Sequence, residues 1–174
     1  MRSRRIPVNS ARQLRPTPDR VRETLFNWIS TGLQNAHCLD LFSGSGVLGF
    51  EALSRGASTV TMVENSGPIY RQLIDNASLL DMGSRVQIIR QNAFKYLQRT
   101  DQSFDFIFID PPFDDHAVEP TLTAIYENDL LNPGGRVYVE QRAQSAIDNF
   151  TGWRMLRSGR AGDVDFRLLE TDRP

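Results

Sequence analysis

The chain has one cysteine, Cys38, and two histidines, His37 and His116, in 174 residues. A lone cysteine excludes an internal disulfide and a cysteine-based zinc site, and two histidines far apart do not suggest a metal centre. No apolar run approaches the roughly 20 residues of a membrane-spanning helix. The arginines near the start are followed by no apolar stretch of the kind a secretory leader carries. These absences lead us to expect a soluble, cytoplasmic protein with no membrane partner. Lysine is nearly missing too: Lys95 is the single exception among twenty basic residues.

The net charge of −1 conceals an asymmetry. Residues 1–22 hold seven arginines (Arg2, Arg4, Arg5, Arg12, Arg15, Arg20, Arg22) against Asp19, a local charge of +6, and the remainder carries −7. A guanidinium can fork onto a phosphate and stack on a base. A basic arm on an acidic body therefore points to a nucleic-acid partner, with Arg4, Arg5, Arg15 and Arg20 as candidate contacts. A solvated tail is the plainer alternative.

With 40% apolar residues, the length fits one domain able to cover both faces of a sheet. Residues 1–16 lack periodicity and form an arm; residues 17–174 form a single domain. Thr17 resembles a helix N-cap and Pro18 a first helical residue, with Val21, Leu25, Trp28 and Ile29 at helical spacing. Strands then alternate with helices: strand 38–42, helix 46–55, strand 58–64, helix 66–80, strand 85–90, helix 93–99 and strand 104–109. A helix at 117–127, the turn Asn132-Pro133-Gly134-Gly135 and a strand at 136–141 follow. Alternation of this kind predicts an α/β fold with a mostly parallel sheet and helices on both faces. The last two strands, Trp153 to Arg160 and Val164 to Glu170, read as an antiparallel hairpin joined through Gly159 and Gly162.

Gly44-Ser45-Gly46-Val47-Leu48-Gly49 matches a dinucleotide fingerprint, so a nicotinamide cofactor and S-adenosylmethionine must be weighed together. Glycines permit a tight turn and close backbone approach at a helix N-terminus. Charge separates the two: Asp40, just before the loop, would repel a pyrophosphate but suits the cationic amino-acid end of S-adenosylmethionine. Glu64, at the end of the second strand, is placed to accept from both ribose hydroxyls of either cofactor. Phe42, Gly44 and Gly46 complete the loop's candidate contacts. Asn92 could contact adenine, with Ala93 allowing close approach, or could simply cap the following helix.

Phe104 to Ile109 is too apolar for an edge strand, so Asp110-Pro111-Pro112-Phe113 emerges at the carboxyl edge of the sheet's centre, where ligands sit in open α/β folds. Paired prolines donate no backbone hydrogen bonds and hold an extended path, leaving carbonyls free to accept. An exocyclic base amine is a poor nucleophile because its lone pair is delocalised into the ring. Asp110 and the Pro111 carbonyl could accept both of its hydrogens, with Pro112 stiffening the turn and Phe113 stacking on the extruded base. A plain strand-ending turn is the alternative.

The stretch Leu14-Arg15-Pro16-Thr17-Pro18-Asp19-Arg20-Val21-Arg22-Glu23-Thr24-Leu25-Phe26-Asn27-Trp28, together with Leu39 to Gly46, Glu51 to Ala57 and Asp110 to Phe113, resembles the RsmD family. These are bacterial small-subunit (16S) ribosomal RNA guanine-N2 methyltransferases, and the resemblance covers nearly the whole chain. It implies a class I methyltransferase fold, S-adenosylmethionine as cofactor, a guanine of ribosomal RNA as acceptor, and a partly assembled small subunit as the particle acted on. A monomer is expected. Relatives usually begin with a glycine-rich strand pair, and only Arg2-Ser3-Arg4-Arg5-Ile6-Pro7 resembles its end, which bears on RNA affinity. Three rivals stay open: an adenine-N6 methyltransferase, a nicotinamide-dependent oxidoreductase and a non-catalytic RNA-binding assembly factor.

Overall fold

The computed structural model describes residues 18–112, 116–143 and 150–173. The arm with Arg4, Arg5 and Arg15, the candidate cap Thr17, and Phe113 lie outside them. Helix α1 (Asp19–Ile29) buries Val21, Leu25, Phe26 and Ile29. Spacing of three and four residues puts those four on one stripe, each contributing about 1.5–3 kcal/mol if fully buried. Helix α1 begins one residue later than its sequence suggests: Pro18 takes the cap position, and its carbonyl accepts from the Val21 and Arg22 amides at 2.9 and 3.1 Å. Pro18 has ψ 140°, extended rather than helical, so the chain enters the first turn only at Asp19.

Strands β1 (His37–Asp40), β2 (Thr59–Glu64), β3 (Val86–Arg90), β4 (Phe104–Ile109) and β5 (Leu131–Arg142) run parallel. The helices between them are α2 (Val47–Ser54), α3 (Gly67–Leu79), α4 (Ala93–Leu97) and α5 (Val118–Glu127). Strands β6 (Trp153–Ala161) and β7 (Val164–Thr171) close a seven-stranded sheet of order β3-β2-β1-β4-β5-β7-β6. β7 is antiparallel to both strands beside it, β5 and β6.

Four local readings change. β1 stops at Asp40 instead of Phe42, because the Ser43 hydroxyl bonds the Asp40 carbonyl at 2.8 Å and turns the chain. β5 begins pairing at Leu131, opposite Phe104, and resumes at Arg136 opposite Phe106. Asn132 to Gly135 loop out between those pairs, with Gly134 at φ +76°. Gly159 lies inside β6, where any side chain would strike the Phe166 ring, and the hairpin turns at Gly162, φ +59°.

Alternation divides the core. One face packs α1, α2 and α3 on Cys38, Val60, Met62, Phe106, Phe108, Tyr138 and Phe166, with Trp28 stacked on Phe166 at 5.3 Å. The other packs α4 and α5 on Leu39, Val63, Ile107, Ile109, Val137 and Val139. β1 is flanked by β2 and β4, so the strand order reverses there, and such a switch point leaves a crevice at the carboxyl ends.

Candidate functional site

The crevice is built from the ends of three neighbouring parallel strands, each closing on or just before a carboxylate: Glu64 on β2, Asp40 on β1 and Asp110 just after β4. Asp40 stands opposite Met62 on one side and Phe108 on the other. The next amide, Leu41, donates to the Phe108 carbonyl at 3.1 Å, and Ser43 donates to Val63 at 3.1 Å. The glycine loop is thereby pinned to both flanking strands.

Within the loop, Gly46 adopts φ +80° at the cap of α2, and a Cβ there would lie 2.5 Å from Phe50 and 2.6 Å from Leu73. Conformation and space both demand glycine. Gly44 also has positive φ, +51°. Asp40, only 3% exposed, accepts from the Gly49 amide at 3.1 Å. Burial pushes its carboxyl up to about 7, opposed by the Gly49 hydrogen bond and reinforced by the negative Glu64.

Glu64 holds the mouth of the loop: one oxygen accepts from the Gly44 amide at 3.1 Å, the other from Ser66 at 2.7 Å. Each carboxylate oxygen has a second lone pair, so the Glu64 side chain is fixed in place and still able to accept from a ligand. Asn92 caps α4, its side-chain oxygen accepting from Phe94 at 3.0 Å and Lys95 at 3.3 Å. Ala93 is buried behind it, and Phe42 is half-buried against the α4–α5 face. Asp110 is half-buried, Pro111 buried and Pro112 exposed. Arg20 is exposed on the first turn of α1.

Sequence reading passed over Tyr138 and Glu140. Both are 1% exposed, and the Tyr138 hydroxyl donates to Glu140 at 2.8 Å. The signal was an acid inside the apolar run Val137-Tyr138-Val139-Glu140.

The donor set fits S-adenosylmethionine. A buried carboxylate raised to about 7, with no cation among the groups that move it, suits a positively charged ligand end. A glycine loop admits close approach, and a fixed carboxylate at the next strand end suits a ribose.

This sheet order, with its glycine loop at the switch point and an Asp-Pro-Pro turn on the adjacent strand, is the class I S-adenosylmethionine-dependent methyltransferase fold. A family model described as "Conserved hypothetical protein 95" matches residues 1–170. The chain is 37% identical to Ribosomal RNA small subunit methyltransferase D of Escherichia coli K12 over 172 residues, 98% of this chain and 86% of that protein. It is 38% identical to the Haemophilus influenzae protein of the same name, covering 97% and 89%. The solved structure of Escherichia coli yhhF superposes with a TM-score of 0.88 at 35% identity, covering 97% and 92%. The chain belongs to the RsmD family.

Proposed function

We propose that the chain methylates the exocyclic N2 amine of a guanine in small-subunit (16S) ribosomal RNA, acting as a monomer on a partly assembled subunit, with S-adenosylmethionine as donor. The observation that carries this reading is the Asp110-Pro111-Pro112 turn at the end of β4, one strand from the glycine loop, in a chain whose relatives are named Ribosomal RNA small subunit methyltransferase D.

Asp40, Phe42, Gly44, Gly46, Glu64, Asn92 and Ala93 hold the cofactor. Asp40 faces its cationic end, Glu64 its ribose, and Asn92 with Ala93 its adenine. Bound there, S-adenosylmethionine supplies a methyl group on a positively charged sulfur, an electrophile toward an amine lone pair. Asp110 and the Pro111 carbonyl accept the two N2 hydrogens, which directs the nitrogen lone pair out of the hydrogen-bonding plane. Pro112 keeps the turn extended, and Phe113 stacks on the base once it has left its helix or loop. As the new N–C bond formed, the methyl–sulfur bond would break and the cofactor would leave as a neutral thioether, while the surplus proton on nitrogen would pass to Asp110. Arg4, Arg5, Arg15 and Arg20 contact phosphates.

Labelled S-adenosylmethionine, small subunits lacking the modification, and nucleoside analysis of the product test the reading. N2-methylguanosine supports it. N6-methyladenosine, or cofactor binding with no transfer, overturns it.

A further inference from the structure

We propose that the outer strand β6 is a phosphate-contacting edge, in which Arg154, Arg157 and Arg160 hold the backbone of the RNA that flanks the methylated base. The proposal rests on the reading of the chain as a methyltransferase of ribosomal RNA, and it gives that reading a second contact surface apart from the arginine arm.

Composition sets this strand apart. β6 reads Trp153-Arg154-Met155-Leu156-Arg157-Ser158-Gly159-Arg160-Ala161, with three arginines and no acid, on a body whose net charge is negative. All three arginines are exposed. β6 ends the sheet order, so its outer side pairs with no strand among the described residues. A free strand edge also presents backbone amides, a second kind of phosphate donor.

A β-bulge aims two of the arginines the same way. β6 pairs Met155 with Leu169 and Arg157 with Leu168, which leaves Leu156 as the extra residue. Residues three apart on a regular strand point to opposite faces. Here Arg154 stands opposite Glu170 and Arg157 opposite Leu168, two residues apart on β7, so both lie on one face. It is the face that α1 covers: Leu168 and Phe166 belong to that core, Trp28 stacks on Phe166, and α1 packs beside β6.

The three guanidinium groups are differently engaged. Arg154 is paired with Glu170 across the hairpin. Arg160 donates through Nε to the Gly162 carbonyl at 3.3 Å, while Asp165, its cross-strand partner, is held by Arg167 at 2.7 Å. Arg157 makes no ion pair or hydrogen bond with any described residue. Its charge is uncompensated, and its planar fork matches two phosphate oxygens.

Charges on an edge strand also block pairing with a second sheet, but acids serve that purpose as well as arginines. Arginine without acids is the pattern a polyanion selects. From β6 to β4 is three strand spacings, about 14 Å. That separation suits nucleotides close to a base held at Asp110.

The test is binding of the full chain to small subunits lacking the modification, titrated with salt, for wild type, Arg157→Ala, Arg157→Lys and the double variant Arg157→Ala with Arg160→Ala. Arg99→Ala, which removes an exposed arginine just after α4, is the control for net charge. We expect Arg157→Ala to weaken binding about three- to tenfold at low salt and to flatten the slope of log affinity against log salt by about 0.7–0.9. The double variant should flatten it by about 1.4–1.8. Arg157→Lys keeps the charge and most of the slope, and every variant keeps the wild-type Tm and S-adenosylmethionine Kd. An unchanged slope in the double variant overturns the proposal, as does an equal change in Arg99→Ala, which would mean that net charge alone matters. Self-association of the double variant with unchanged subunit affinity also overturns it, and makes the arginines guards of the edge. Absence of methyl transfer from wild type to these subunits would instead overturn the underlying reading, so the two failures are distinguishable.

Discussion

Asp40 accepts the amide hydrogen of Gly49 at 3.1 Å, binding the end of β1 to the first turns of α2 across the glycine loop. Its carboxyl is held at about 7, mainly by burial. The unfolded chain would titrate it near 4. A group raised on folding contributes stability that is present in full below the unfolded value and is lost as pH rises through the folded one. The difference in Tm between wild type and Asp40→Asn, which keeps an acceptor for Gly49, should therefore move against wild type between about pH 4 and pH 7. A cation beside Asp40 favours its charged form, so cofactor binding should weaken as pH falls below 7 in wild type. Calorimetric Kd values across pH check this, and a pH-independent difference between the two proteins contradicts it.

Gly46 combines a left-handed backbone with no room for a side chain. An alanine there must hold φ +80° and place its methyl 2.5 Å from Phe50. The left-handed conformation alone costs about 1–2 kcal/mol. Gly46→Ala should lower Tm and raise the cofactor Kd together. Gly83→Ala makes a fair control, since it shares positive φ (+57°) with nothing within 4 Å. Its Tm should fall without loss of cofactor affinity.

Glu64 binds two backbone amides at once, and glutamine can accept with only one of its terminal atoms. Hydrogen bonds to a charged group contribute about 1.5–3 kcal/mol each, so Glu64→Gln should raise the cofactor Kd roughly 10- to 100-fold. At saturating cofactor, kcat should stay near wild type. A kcat loss that persists at saturation would mean that Glu64 acts on the chemistry.

Local pattern carried much of this architecture. β4 was legible to the residue because five of its six positions are apolar and three of those aromatic, Asp105 being the exception. In the fold that carboxylate accepts from the His37 amide at 2.7 Å and from Asn132 at 2.9 Å. Helix ends were read a residue or two long, as at α3 and α4, because end residues are decided by caps and not by periodicity. Asn92 was read as able to cap, and it does so. Tyr138 and Glu140 escaped notice for a different reason. A strand glutamate is ordinarily solvated, and only the pairing with β7, opposite Phe166, in the middle of the sheet buries this one. Gly159 was misread as a turn because its purpose, room for the Phe166 ring, depends on a residue across the hairpin.

The arginine arm makes an electrostatic prediction. Residues 1–12 contain Arg2, Arg4, Arg5 and Arg12. Each lost phosphate contact should reduce the slope of log affinity against log salt by about 0.7–0.9. Deleting residues 1–12 should therefore weaken RNA binding and flatten the slope by up to about 3, while leaving cofactor affinity unchanged. An unchanged slope would make the arm a bystander.

The central claim is that Asp110 directs methyl transfer to the N2 amine of a ribosomal guanine. Its most direct test compares wild type with Asp110→Ala on small subunits lacking the modification, using labelled S-adenosylmethionine and nucleoside analysis. The account predicts N2-methylguanosine from wild type, and from the variant no product with cofactor affinity within a few-fold. A different methylated nucleoside, or transfer by Asp110→Ala at a rate near wild type, would contradict it.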